Sequence, residues 1–368
     1  MFQKKTAKEK TQKNHAINFV VKIVKSIAKE LPTFGAKQTY MSNPIIGIAC
    51  HGYSSEAEIS MQSAQTVREH LEKSFAAVFF LQIKLNKWII LDGNGEEQSV
   101  PVGTFEFEYQ GKTLRFDVIF NALHGSPGED GKLAALLDFE KIPHTSCDMY
   151  PAELTFNKRD CITMSRNLGV PTAPSVFVDK GDVIDLKAII NAVGLPCFVK
   201  ANRAGSSFGV FKASTLQELE ESIPKALEED TQLLIEQALE GREISLGVVR
   251  LKNKITVLPP TEIITENDFF DYAAKYRGES KEITPADIPE AWQRQLSHWG
   301  QLLYDKLGLV GITRSDFIFV EGRPHLLEIN TVPGMTQASI IPQQCAAAGL
   351  SLQELFCELV NEALQRNP

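Results

Sequence analysis

The sequence predicts a three-part α/β and α+β protein: an amino-terminal parallel α/β domain over 43–150, then two mixed segments over 151–238 and 239–368. Three observations carry this. Strand and helix patterns alternate from Asn43 onward, as they do in βαβ units. After the helical pattern NKRDCITMSRNLGV, strands follow one another with fewer helices between them, which suits smaller α+β units. No internal repeat or low-complexity tract is present, so a solenoid is excluded.

Each element has its own signal. PIIGIAC (44–50) is a short continuous apolar run of the buried-strand kind. Ser55 followed by Glu58 has capping-box spacing and predicts the start of the helix EAEISMQSAQTVREHLEKS. FAAVFFLQI and RFDVIFNAL are further strands, separated by a polar, hairpin-like insert, LDGNGEEQSVPVGTFEFEYQGKT. LHGSPGEDG leads into the helix KLAALLDFEKI. In the second segment SVFV, LPCFVKA, FGVFKAS and QLLIEQ read as strands, with helices DLKAIINAVG and TLQELEESIPKAL among them. The third begins near REISLGVVR and runs through KITVLPPTEII. It continues with the long helix PEAWQRQLSHWGQLLYDKLGL, the strands GITRSDFIFV and PHLLEINT, and two closing helices.

Composition narrows the function classes. At 368 residues with 43% hydrophobic and 23% charged residues, the chain has the make-up of a soluble globular protein. A net charge of -8 argues against a general nucleic-acid binder, whose footprint would be basic. Six cysteines are scattered without a C-x-x-C pair and read as reduced, buried thiols of a cytoplasmic protein. No apolar run approaches the roughly 18 residues that span a bilayer. The first forty residues hold nine lysines against two glutamates, with Ile17, Val20, Val21, Val24, Ile27 and Leu31 at helical spacing. Residues 1–42 therefore read as a basic extension, either an amphipathic surface helix or a leader with Met41 as an alternative start.

Chemistry concentrates in a few stretches. In RSDFIFVEGRPHLLEIN, a turn centred on Gly322 sets Asp316 opposite Glu328 and Arg314 opposite Asn330, all on one face. Two carboxylates so placed repel unless a cation joins them, and an all-oxygen set suits Mg²⁺; the other reading pairs one carboxylate with Arg314 or turns it to solvent. NTVPGMTQAS follows at once, and the turn at Gly334 and the helix start at Ser339 offer backbone N–H groups for a carboxylate or an oxyanion. KANRAGSSFGVFK (200–212) reads as a phosphate cradle, a serine nucleophile or an ordinary hairpin. Lys158 at a helix start and Lys200 at a strand end are placed to reach phosphate. Glu236 and Glu243 in QLLIEQALEGRE suit adenine and ribose, or a plain surface strand. Glu56 heads a helix, His124 ends a strand, and FFDYAAKYRGES lacks periodicity and suggests a lid loop.

Taken in order, HGYSSEAEIS, LHGSPGEDG, NK, KANRAGSSFGVFK, LIEQALEGRE, FFDYAAKY, RSDF and LEINTVPGMTQAS resemble the D-alanine-D-alanine ligases of the ATP-grasp superfamily over nearly all of 43–350. The resemblance implies a three-domain ATP-grasp fold, ATP and two Mg²⁺ ions (Mn²⁺ substituting), a homodimer, and a role in peptidoglycan precursor synthesis. It implies that Glu56 takes the first D-alanine's ammonium with His124 beside it. Lys158, Lys200, Ser207 and Lys275 would contact ATP, and Glu236, Leu239 and Glu243 would line the nucleoside pocket. Asp316, Glu328 and Asn330 would hold metal, Arg314 and Gly334 the oxyanion, and Ser339 and Ile340 the second D-alanine. Ser206 and Tyr276 would join Glu56 in a network that closes the site, and Tyr276 implies a dipeptide product where Phe accompanies D-lactate. Ala204, Gln237 and Ala238 depart from the family pattern in the glycine-rich loop and after the hinge glutamate.

Other classes remain to be weighed. A D-Ala-D-Lac, D-Ala-D-Ser or other ATP-grasp carboxylate-amine ligase keeps the fold and changes the acceptor. A serine hydrolase built on Ser206 or Ser207 lacks the strand-turn-helix elbow, since strands flank GSSFG on both sides. A dinucleotide-binding module lacks G-x-G-x-x-G after the first strand.

Overall fold

The computed structural model describes residues 43–92, 94–205, 208–265 and 280–366. The basic extension, Ser206, Ser207, Lys275 and Tyr276 lie outside the described residues.

The first layer is a five-stranded sheet. β1 (Ile45–His51) pairs in parallel with β2 (Ala77–Ile83) and β7 (Val118–Asn121), and α1 (Ala57–Leu71) makes the first crossover. β3 (Trp88–Leu91) and β4 (Glu97–Val100) add antiparallel strands at the open edge of β2, giving the order β4-β3-β2-β1-β7. The sheet expected to be parallel is therefore mixed. Part of the insert supplies β4 and, just before it, Trp88, Ile89 and Ile90 form β3; short turns suffice for antiparallel neighbours. β5 (Glu106–Tyr109) and β6 (Lys112–Arg115) form a separate hairpin over the same layer, where Phe79 meets Phe107 and Phe116.

The expected Ser55/Glu58 capping box is not formed. Helix α1 starts at Ala57 with Glu56 at the N-cap and no side-chain cap, so Ser55 sits one residue too early to reach the N3 amide. Ser54 Oγ instead accepts the Glu56 N–H at 3.3 Å.

α2 (Lys132–Phe139) covers one face of this sheet, with Leu133 and Leu137 against Phe79 and Ile119. α3 (Met149–Phe156) and α4 (Lys158–Asn167) follow, and their buried Leu154 and Cys161 join a core with Leu246, Leu303, Phe317 and Leu326 far along the chain. The next sheet is four-stranded and antiparallel, β10-β9-β11-β8, from β8 (Ser175–Asp179), β9 (Cys197–Ala201), β10 (Val210–Ala213) and β11 (Gln232–Gln237). α5 (Leu186–Val193) and α6 (Leu216–Glu229) pack on it, α6 through Leu219, Ile223 and Ala226 at helical spacing.

The last sheet runs β15-β14-β12-β16-β17, with β13 paired to β12. Its strands are β12 (Arg242–Leu251), β13 (Lys254–Val257), β14 (Thr261–Thr265), β15 (Ser280–Ile283), β16 (Ile312–Val320) and β17 (Arg323–Asn330). α7 (Glu290–Lys306) covers it, and α8 (Ile340–Ala348) and α9 (Leu352–Gln365) close the chain. α9, opened by a true capping box of Ser351 and Glu354, returns to the first layer: Leu355, Phe356 and Val360 share a core with Ile46, Val67 and Phe120.

One buried amide pins α8 to this sheet. Gln344 Oε1 accepts the Gly247 N–H at 2.9 Å, and Nε2 donates to Ser245 O at 3.0 Å and Thr261 Oγ1 at 3.1 Å. A Cβ on Gly247 would lie 2.4 Å from Gln344 Oε1, so only glycine admits this approach. Gln344→Leu strands the Gly247 N–H in the core and is expected to lower stability by about 2–3 kcal/mol, read from the urea midpoint at constant m.

Candidate active site

The four-stranded and six-stranded sheets face each other across a cleft of about 720 Å³, whose inner end reaches Glu56 and His124 of the first layer. Most of the chemistry anticipated from sequence lies on its walls.

The hairpin of β16 and β17 supplies the acidic wall. Its turn is the two-residue Glu321-Gly322, both with positive φ (48° and 80°), so Val320 pairs with Arg323 and Phe317 with Leu326. Continued without irregularity, that register would set Asp316 opposite Leu327. A bulge between Asp316 and Phe317 advances the pairing by one, and Asp316 meets Glu328 while Arg314 meets Asn330. The pairing predicted from a turn centred on Gly322 is thus present, but the bulge produces it.

Asp316 is buried and doubly held. Ser245 Oγ donates to Oδ1, and the Arg314 fork reaches both oxygens, Nε to Oδ1 at 3.0 Å and Nη2 to Oδ2 at 2.7 Å. Glu328 lies 4.0 Å from Arg314 Nη2 and 3.8 Å from Lys158 Nζ. The structure thus shows the Arg314 pairing of the second reading, with Glu328 still opposite Asp316 across the hairpin. Asp316, Glu328 and Asn330 present oxygen atoms to the same cleft, a donor set that fits a hard divalent cation. Asp138, His144 and Asp148 also bring ligand atoms within 4.8 Å of one another. That group is not on the cleft wall; the His144 ring is bonded to Asp138 and Ser146, and Arg366 stands 3.6 Å from Asp148.

Two lysines face the carboxylates. Asn157 caps α4 by accepting the Asp160 N–H at 3.1 Å, which fixes Lys158 in the first turn, and its Nζ donates to Ala204 O at 2.7 Å. The glycine-rich stretch is thereby tied to the cleft. Lys200 Nζ lies 2.5 Å from Glu236 Oε1. Burial pulls the Lys200 pKa down, but the Glu236 carboxylate, with Glu328 and Glu243 behind it, outweighs burial and holds it above the usual lysine value. The lysine is a cation with an anchored position. Leu239 and Glu243 lie on the same wall, and Arg242 forks onto Glu262 at 2.5 and 2.7 Å.

At the inner end, Glu56 heads α1 and is buried. The positions a Cβ would take on Gly125 and Gly205 are 2.7 and 2.8 Å from its Oε2, so the tip of the glycine-rich stretch reaches this carboxylate. His124 Nδ1 donates to Val332 O at 2.8 Å, and Nε2 lies 2.9 Å from Ser63 Oγ. Beyond it, 3.9 Å from Nδ1, is Glu129, whose pKa is raised by burial and by the nearby Glu56, against the lowering influence of the neighbouring His124 ring.

Gly334 lies on the wall close to His124, since the Met335 N–H donates to Ser63 Oγ at 3.2 Å, and a Cβ on Gly334 would be 2.8 Å from Ser339 Oγ. Ser339 is the N-cap of α8 and its hydroxyl bonds Thr336 Oγ1 at 2.7 Å. Ile340 has a buried side chain, so what it can offer is its backbone N–H.

Of the predicted residues, the cleft gathers Glu56, His124, Lys158, Lys200, Glu236, Leu239, Glu243, Arg314, Asp316, Glu328, Asn330 and Gly334. Ser339 stands directly behind Gly334. Sequence reasoning missed Glu129, Ser245 and the Arg242–Glu262 pair. Glu129 stood in the quoted LHGSPGEDG; Ser245 could have been found from its i, i+2 relation to Glu243 on one strand face.

Comparison with known proteins agrees with this geometry. The family description "D-ala D-ala ligase N-terminus" matches residues 45–147, and "D-ala D-ala ligase C-terminus" matches 164–361. The D-alanine-D-alanine ligase of Flavobacterium johnsoniae is 44% identical over 319 residues, 87% of this chain and 99% of that protein. D-alanyl-alanine synthetase A from Vibrio cholerae superposes with a TM-score of 0.79 at 26% identity, covering 88% of this chain and 99% of that one. The VanG D-Ala:D-Ser ligase from Enterococcus faecalis gives 0.74 at 27%, covering 87% and 99%. The chain belongs to the D-alanine-D-alanine ligase family.

Proposed function

We infer that the chain joins two D-alanine molecules into D-alanyl-D-alanine with conversion of ATP to ADP and phosphate, through a D-alanyl phosphate, in support of peptidoglycan synthesis. The observation that carries this reading is one cleft holding paired carboxylates, two anchored lysines and the Gly334 turn, with Glu56 and His124 at its inner end.

For the described residues the roles follow from position, and for Ser206, Ser207, Lys275 and Tyr276 from the family resemblance. Glu56 takes the first D-alanine's ammonium, and His124 and Glu129 shape the pocket around it. Lys158 and Lys200, with Ser207 and Lys275, hold the ATP phosphates, and Glu236, Leu239 and Glu243 receive the nucleoside. Asp316, Glu328 and Asn330 would hold two Mg²⁺ ions, replaceable by Mn²⁺. Bound there, such ions offset the repulsion between a carboxylate and a triphosphate. The first D-alanine carboxylate oxygen attacks the γ-phosphorus and ADP leaves. The deprotonated amine of the second D-alanine then attacks the acyl carbon; the C–N bond forms, the C–O bond to phosphate breaks, and the amine's remaining surplus proton passes to solvent. Arg314 and the Gly334 N–H stabilise the oxyanion between those events. Ser339 and the Ile340 N–H take the second carboxylate at the start of α8. The family resemblance assigns Ser206 and Tyr276, which lie outside the described residues, to a network with Glu56 that closes the site.

The chain is also assigned to the cytoplasm and to a homodimer. Among the described residues, no helix is long and apolar enough to cross a membrane. The proposed domains are 43–150, 151–238 and 239–368, preceded by the extension 1–42. Given ATP, D-alanine, D-lactate and D-serine together at neutral pH, the protein is expected to yield mainly D-alanyl-D-alanine by product mass spectrometry. A predominance of depsipeptide or of D-alanyl-D-serine would transfer it to the alternative ligase class.

A further inference from the structure

One side chain fastens the segment behind Gly334 to a neighbouring strand. Gln343 sits one turn into α8, where its N–H meets Ser339 O at 3.3 Å. Its Nε2 donates to Ala338 O at 2.9 Å and to Glu282 Oε2 on β15 at 2.5 Å, which uses both amide hydrogens. Its Oε1 accepts from Thr284 Oγ1 at 3.4 Å, and Thr284 in turn meets Thr261 Oγ1 at 2.7 Å. The Ala338 carbonyl belongs to the peptide whose nitrogen is that of Ser339. Holding it sets the plane of that peptide and, through Ser339 N–H to Thr336 O at 2.8 Å, the turn behind Gly334. Neither Gln343 nor Glu282 is on the cleft wall.

We propose that Gln343 and Glu282 form a clasp that positions the subsite for the second substrate, a D-amino acid bound by its carboxylate, and so set its affinity without a part in forming the acyl phosphate. This rests on the assignment of Gly334 and Ser339 to that subsite. The two are positioning residues: they act through the Ala338–Ser339 peptide. Burial raises the Glu282 carboxyl, while the Gln343 bond and the nearby Arg314 charge lower it, so a second acid at 343 would meet a carboxyl that has already lost solvent.

The test measures rate against D-alanine over a range wide enough to resolve both KM values, on the full chain with saturating ATP and Mg²⁺. A hydrogen bond to a charged group supports a change of about tenfold or more. Gln343→Glu is expected to raise the second KM by about that factor, with the first KM unchanged within about twofold. The exchange Gln343→Glu with Glu282→Gln removes the repulsion and restores a bond between the two side chains, but leaves the Ala338 carbonyl without a donor. Stability should recover while the second KM stays raised, whereas a role in bulk stability would return both. Should Gln343→Glu fail to fold, Gln343→Ala, which brings no charge, must still split the two KM values. The clasp is overturned if both KM values rise together, or if the exchanged pair, with no donor to Ala338 O, returns the second KM to the wild-type value. Ser339→Ala run alongside separates two failures. If it raises the second KM and the Gln343 variants do not, the clasp alone is wrong; if neither does, the subsite assignment falls and the clasp with it.

Discussion

Glu328→Gln is expected to remove D-alanine-dependent phosphate release from ATP, by a factor of about a thousand or more at saturating substrates. The substitution keeps the side-chain volume and removes the charge that Lys158 and Arg314 approach to 3.8 and 4.0 Å. It also leaves Asp316 as the single carboxylate of the cross-strand pair, too little charge to retain a divalent ion beside a triphosphate. Phosphate release is measured with and without D-alanine and with and without Mg²⁺. Wild-type turnover requires both, and the variant responds to neither. Turnover of the wild type without D-alanine would contradict the proposed order of steps.

Arg314→Ala carries the second large effect, and it has two components that different measurements separate. Loss of a donor to the oxyanion lowers kcat by about a hundred- to a thousandfold. Loss of the fork also leaves buried Asp316 with only the Ser245 hydroxyl, at a stability cost of about 3 kcal/mol by analogy with other broken buried pairs. Arg314→Lys keeps the charge but cannot form both bonds to Asp316. It should recover much of the stability, seen as the urea midpoint, while kcat stays well below wild type. Equal recovery of both would mean that Arg314 acts by holding the hairpin and not by meeting the reacting centre.

What could be read from the sequence followed from how local each signal was. β1, the helix heads and the β16/β17 hairpin declare themselves through runs, caps and turn residues within about ten positions. Lys158, Lys200 and the Asp316/Glu328 pair were accessible for that reason. Trp88, Ile89 and Ile90 gave too short a run to be recognised, yet β2 had an open edge that they fill. The bulge that brings Asp316 to Glu328 has no marker in the residues beside it; the assumed turn centre happened to give the same register. Ser245, Glu262 and Gln344 act through partners more than twenty positions away or on other elements, and no local pattern announces such bonds. Ser55 shows the converse: good capping chemistry, displaced by one residue because the helix begins at Ala57.

The return of α9 to the first layer has a consequence for biogenesis. Ile46, Val67 and Phe120 are made early, but Leu355, Phe356 and Val360, which complete their core, are made only after both later sheets. The layer that holds Glu56 cannot finish burying its apolar face during translation, and its contacts are among the most distant in sequence that the chain makes. A nascent chain stopped before Leu352 carries that face open to water. β1 and α9 are therefore committed together, and a ligase lacking α9 loses support for the layer that carries Glu56 and His124.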